Sequence, residues 1–163
     1  MANTWIIAVD PQIASLVEQG RAIGGSVTAV TVGGTPVAGV DKVIDVALPE
    51  GVPAEAAAPA VAAAVAAEAG DVVLAANKPA ERVLAGAVAA KLNAAFLPGL
   101  KSVKAGAAEL SRYGGLSFES VTFDSPVVAV LDGGAEAEGE PVSAETTEGS
   151  VYDAKVTGQE KTE

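Results

Sequence analysis

The sequence contains neither cysteine nor histidine in its 163 residues. Without cysteine it has no disulfides, no thiol nucleophile and no thiolate zinc site. Without histidine it lacks the commonest general base and the commonest metal ligand. Carboxylate, lysine, tyrosine and hydroxyl groups remain, and they form no recognisable catalytic cluster. We therefore expect that the chain has no metal site and is not an enzyme in its own right.

Aromatic and basic residues are also scarce. Aromatics make up 4% of a chain that is 50% hydrophobic, so the core must consist mostly of Ala, Val and Leu. The net charge is -11, and six of these negative charges lie in residues 135–163, which carry eight acids and two lysines. Nucleic-acid binding depends on Lys and Arg displacing counterions from phosphates, so nucleic acid is excluded as a partner.

No segment of the sequence is typical of a membrane protein. The N-terminus lacks a basic region followed by a long apolar run, so it does not resemble a signal peptide. Residues 56–67 are largely apolar but contain Pro59 and fall short of the roughly 20 residues that a membrane span needs. The chain is expected to be cytoplasmic, with no membrane insertion, and long enough for one domain.

Short apolar runs alternate with helical patterns in the first part of the chain. This pattern predicts strands at 5–9, 26–32, 42–48 and 71–76, and helices at 12–23, 57–69 and 79–92. Such alternation is typical of a three-layer α/β sandwich with a mainly parallel sheet. Short strands, several of them antiparallel, are predicted at 96–105, 110–113, 117–123 and 127–131.

The acidic end of the chain differs in character. Residues 1–134 are predicted to form the α/β domain, and 135–163 a polar tail that is partly disordered. Within the tail, residues 150–156 alternate polar and apolar side chains and could form an edge strand.

Three candidate ligand-binding residues follow the fourth predicted strand: Asn77, Lys78 and Arg82. Ligands of α/β proteins bind outside the carboxyl ends of the strands, and a helix start with basic residues attracts phosphate. A solvated helix start, with Asn77 as the cap and Pro79 in the first turn, explains the same residues. No glycine-rich phosphate loop accompanies them.

Two further candidates follow the first and second strands. Asp10 ends strand one, where related folds contact adenine or ribose, and Gly33 opens the Gly33-Gly34-Thr35 segment after strand two. In the alternative interpretation, Asp10 is a turn residue before Pro11 and Gly33 is an ordinary turn glycine.

Three segments carry a family resemblance: GRAIGGSVTAVTVG (20–33), VDKVIDV (40–46) and the stretch 70–103 that begins GDVVLAANKPAERVLAG. In these segments the chain resembles the N-terminal domain of the electron transfer flavoprotein alpha subunit. Arg82 matches the family's loop arginine, whereas Glu81 stands where the family usually has glycine.

The resemblance implies a Rossmann-like fold, related to adenine nucleotide alpha hydrolases, and a heterodimer with a beta-type subunit. It implies FAD held in a second domain, whose Gly-Gly-Arg-Gly-like segment does not occur in this sequence, and AMP held by the beta subunit. The chain would then be a structural, partner-binding component that forms a homodimer through residues 110–123 when isolated. The alternative is a stand-alone adenine-nucleotide-binding module.

Overall fold

A computed structural model describes the backbone of residues 3–68, 70–97, 100–104, 107–112, 117–122, 126–131, 133–135 and 139–147, and the side chains of these residues outside 100–122. In chain order the elements are β1 Thr4–Ala8, α1 Ala14–Ile23, β2 Val27–Val32, β3 Lys42–Val46, a 3-10 turn at Ala54–Ala57, α2 Ala58–Ala64, β4 Val72–Ala76, α3 Pro79–Leu92, β5 Ala95–Leu97, β6 Leu100–Lys104, β7 Ala107–Arg112, β8 Ser117–Thr122, β9 Val127–Leu131 and β10 Ala144–Thr147.

Seven strands form one parallel sheet in the order β10-β3-β2-β1-β4-β9-β5. The chain starts at the central strand β1, moves outward to β2 and β3, and returns to β4 on the other side of β1. The boundary between β1 and β4 is therefore the topological switch point, where ligands of open α/β sheets usually bind. The predicted three-layer α/β fold with a mainly parallel sheet is confirmed.

Small aliphatic side chains fill the core on both faces of the sheet. On one face Leu16 of α1 packs in a cluster with Ile6 and Leu74. On the other face Leu84 and Val88 of α3 join a cluster that includes α2. Every residue of β2, β4 and β9 is buried, as expected for parallel strands covered by helices on both sides.

Helix α2 is shorter than predicted, because it ends at Ala64 rather than at residue 69. Val65 leaves the helix in an extended conformation and buries its side chain in the core beneath α2 and α3. The Glu68 amide then donates to the buried Asp71 carboxylate at 2.9 Å instead of continuing the helix. Tertiary packing thus overrides the helix propensity of the alanine-rich segment.

The later strands divide between two sheets. β6, β7 and β8 form a separate sheet whose neighbours are antiparallel. The first residues of the predicted 96–105 strand belong instead to β5, and β5 and β9 both join the main sheet in parallel.

An edge strand, β10, comes from the acidic tail and pairs in parallel with β3. It precedes the predicted edge strand at 150–156, which lies outside the described residues. Its four residues, AETT, are mostly exposed and show no apolar periodicity, so no sequence pattern predicted this strand. In the described part of the chain, no helix has the length and apolar character needed to cross a membrane.

Two helical glycines allow a test of how tightly α1 packs on the sheet. A Cβ at Gly20 of α1 would lie 3.1 Å from side-chain carbons of Thr4 and Val27, whereas one at Gly86 of α3 would meet nothing within 4 Å. Gly86→Ala should stabilise the chain by about 0.5–1 kcal/mol through helix propensity. Gly20→Ala should be less stable than Gly86→Ala by about 1–3 kcal/mol because of crowding.

Urea unfolding of both variants measures this difference. Equal gains in stability for the two substitutions would show that the interface between α1 and the sheet is looser than these distances indicate.

Candidate functional site

Asp10 and Lys78 meet at the switch point, where β1 and β4 end. The Lys78 ammonium lies 2.5 Å from Asp10 Oδ2 and also donates to Gln12 Oε1 at 3.1 Å. The other Asp10 oxygen accepts the Gln12 amide at 2.8 Å, which makes Asp10 the turn residue that one of the two interpretations predicts. Two sequence candidates are therefore in contact, and their charges neutralise each other.

The start of α1 is already occupied by the chain itself. The Ala14 amide donates to the Ala135 carbonyl and the Ser15 amide to the Gly133 carbonyl, each at 3.0 Å. In dinucleotide-binding folds this helix start holds the pyrophosphate through free backbone amides. Here the loop after β9 supplies the acceptors, so these two amides are not available to a phosphate.

Gly133 lets that loop lie directly on the segment between β1 and α1. A Cβ at Gly133 would be 2.4 Å from the Gln12 carbonyl oxygen and 3.2 Å from Ala76 Cβ. Gly134 has a φ of +76°, and a Cβ there would lie 2.5 Å from Ser15 Oγ. The sequence showed these glycines only as the end of a strand. Their contact with α1 leaves no room for a side chain at either position.

Glu81 is buried in the first turn of α3, with 2% of its surface exposed. Burial raises the pKa of the Glu81 carboxyl; the nearby Asp10 and Glu55 carboxylates raise it further, and Lys78 lowers it. The positive end of the α3 dipole favours a negative group at this position. The carboxyl of Glu81 therefore occupies the helix start that would otherwise attract a phosphate.

Arg82 does not join Lys78. It lines an open groove of about 540 Å³ on the outer side of α3, together with Pro79, Val83, Gly86 and Phe96. Lys78 instead turns toward Asp10, at the end of β1. The two basic residues of the predicted phosphate site thus belong to different surroundings.

The prediction that Asn77 caps α3 is wrong. The residue at the cap position is Lys78, without a side-chain capping hydrogen bond, and Pro79 opens the helix as predicted. The Asn77 amide donates to the Leu131 carbonyl at 2.8 Å, which extends the pairing of β4 with β9 by one residue. The predicted first residue of the helix is therefore correct, and the predicted cap is one residue too early.

Gly33 belongs to a tight turn after β2. It has a φ of +70°, which favours glycine, and its amide donates to the Val46 carbonyl at 3.0 Å. The next amide, of Gly34, donates to Asp45 Oδ1, which also accepts the Thr31 hydroxyl at 2.7 Å. Asp45 is buried and holds this turn, a role that sequence reasoning missed although an acid inside an apolar strand is a detectable signal.

The donors gathered at the switch point are engaged by acceptors of the chain itself. A diphosphate needs unpaired donors, whereas the Lys78 ammonium faces Asp10 and the first amides of α1 bind carbonyls. Among the residues with described side chains, no group of three or more acids could hold a metal ion.

Comparison with known families identifies the class of protein. The family model described as "Electron transfer flavoprotein domain" matches residues 8–157, most of the chain. The chain belongs to the electron transfer flavoprotein domain family, whose members are flavin-associated electron-transfer components. The match does not separate alpha-type from beta-type subunits. A search of curated proteins found no match.

Replacing Glu81 should change how stability depends on pH. Because the folded chain holds the Glu81 proton more tightly than the unfolded chain, the free energy of unfolding falls as pH rises above the ordinary glutamate pKa of about 4.3. This fall ends once pH exceeds the raised pKa of the folded state. Glu81→Gln removes the ionisation, so the variant should gain stability over the wild type as pH increases from 4 to 8.

Urea unfolding at a series of pH values measures this gain. The matched control is Glu18→Gln, an equal charge change at an exposed position of α1, which should follow the wild-type profile. Parallel profiles for Glu81→Gln and the wild type would contradict a cost of ionising Glu81 in the fold.

Proposed function

We propose that this chain is the alpha-type component of an electron transfer flavoprotein and forms a heterodimer with a beta-type subunit. The family match over residues 8–157 carries the proposal. The alpha-type assignment is supported by the resemblance in segments 20–33, 40–46 and 70–103. In this proposal residues 1–134 are the partner-binding domain and 135–163 are its tail.

The closed switch point supports a structural role over a nucleotide-binding one. By resemblance, the beta-type subunit is the one whose related domain holds AMP. In this chain the corresponding position contains the Lys78–Asp10 ion pair, the Gly133 carbonyl and the Glu81 carboxyl. A nucleotide would have to displace all three. AMP binding is therefore assigned to the partner.

FAD supplies the redox chemistry in this family, since it accepts and passes on electrons. A diphosphate site elsewhere is supported by the five candidate residues, Asp10, Gly33, Asn77, Lys78 and Arg82, because their described contacts are made within the chain or lie apart from one another. The flavin would be bound outside this domain. This chain would contribute a partner surface and no catalytic step.

The alternative is a stand-alone adenine-nucleotide-binding module. Its support is the Rossmann-like strand order together with a lysine and an aspartate at the switch point. The two functions differ in a simple observable, because only the alternative requires the isolated chain to bind a nucleotide.

Mixing the chain with its beta-type subunit should yield a 1:1 complex, detected by size-exclusion chromatography with light scattering. The isolated chain should be a two-fold dimer that the partner displaces. The two subunits form the complex because each covers a surface that the other leaves exposed. A strict monomer that ignores the beta-type subunit would contradict the heterodimer.

Calorimetric titration of the isolated chain with AMP, ATP and FAD should detect no binding, because the donors at the switch point are already engaged. A micromolar dissociation constant for AMP or ATP would favour the stand-alone module. In that case Lys78→Ala should weaken binding by about 1–3 kcal/mol, the scale of one charge-assisted hydrogen bond. Stoichiometric flavin would contradict the assignment of FAD to another domain.

A further inference from the structure

The groove on the outer side of α3 is apolar although it faces solvent. Its lining combines Pro79, Val83 and Gly86 of the helix with Phe96 of the edge strand β5, around Arg82. Val83 is 49% exposed and is the large hydrophobic residue that stands out as exposed among the described side chains. The apolar surface continues along α3 to Ala87 and the exposed Ala90. The groove is thus part of a longer helix face.

Arg82 differs from the other basic residues whose side chains are described. Arg21, Lys42 and Lys78 form ion pairs with Asp41, Glu145 and Asp10. Lys91 lies in the last turn of α3, where the helix dipole favours a cation. Arg82 lies near the start of the same helix, where the dipole disfavours a cation, and no ion pair to it exists within the described residues. Neither the described ion pairs nor the helix dipole stabilises the charge of Arg82.

We propose that this groove is the docking site for the partner subunit, so this inference rests on the proposed function. The partner segment would place an apolar side chain against Val83 and Phe96, and a carboxylate on Arg82. A guanidinium in an apolar setting binds carboxylate strongly, because it offers paired donors and is weakly hydrated. The groove is therefore complementary to an apolar segment that carries an acid.

Two features favour a partner protein over other occupants. The apolar surface runs along the helix beyond the groove, which suits an extended protein segment better than a small carboxylate. A second copy of this chain is not the expected occupant, because the isolated chain is expected to self-associate through residues 110–123 and not through this groove.

The test measures the dissociation constant of the complex with the beta-type subunit for the full chain and three variants. Arg82→Glu reverses the charge in the groove. Gly86→Leu fills the groove; it has room because nothing lies within 4 Å of a Cβ at Gly86, and leucine is the better helix former. Lys42→Glu is the control, an equal charge reversal at an exposed position on β3.

Arg82→Glu and Gly86→Leu should each weaken the complex by about tenfold or more, the scale of losing a central contact. Lys42→Glu should stay within about twofold of the wild type, since its charge lies about five strand spacings from β5. Urea unfolding of each variant shows that the loss of binding is not a loss of folding. The wild-type affinity should also fall with added salt more steeply than that of Arg82→Glu.

The outcomes separate the two proposals. If the wild-type chain forms no complex, both the proposed function and the docking site fail. If the complex forms and neither groove variant weakens it, the docking site alone fails. A wild-type self-association that Arg82→Glu abolishes would assign the groove to a second copy and overturn the proposed occupant.

Discussion

The contact between the loop after β9 and the start of α1 is the constraint on which the rest of the switch point depends. It requires a residue without a Cβ at Gly133, because the Gln12 carbonyl would lie only 2.4 Å from that atom. It also provides the carbonyls that satisfy the first amides of α1. The usual ligand position of this fold is occupied by the chain's own backbone. The outer surfaces of the domain therefore remain for binding.

Helices and strands with a strongly periodic pattern of apolar residues could be predicted from the sequence, whereas long-range contacts could not. The bounds of α3 were predicted correctly, because Pro79 opens the helix and an apolar helical pattern runs to Leu92. The end of α2 was not, because the burial of Val65 decides it. The contact between Asp10 and Lys78 joins residues 68 positions apart, and only the strand order brings them together.

Most of the described basic side chains are paired with acids of the same domain. Lys78 pairs with Asp10, Arg21 with Asp41, and the dipole of α3 acts on the buried Glu81. The sequence indicates one basic pair, Lys78 and Arg82, because they are four residues apart near a helix start. Their separation follows from the direction of each side chain, Lys78 toward the centre of the sheet and Arg82 toward its edge, and the sequence does not specify that direction.

The edge strand β10 has a geometric consequence for assembly. It lies beside β3 at one margin of the sheet, whereas β5 with Phe96 forms the other margin. Seven strands at about 4.8 Å spacing place these margins roughly 29 Å apart. Residues that continue from β10 therefore start far from the groove beside α3. The strand β10 and the groove therefore present opposite margins of the same sheet to neighbouring molecules.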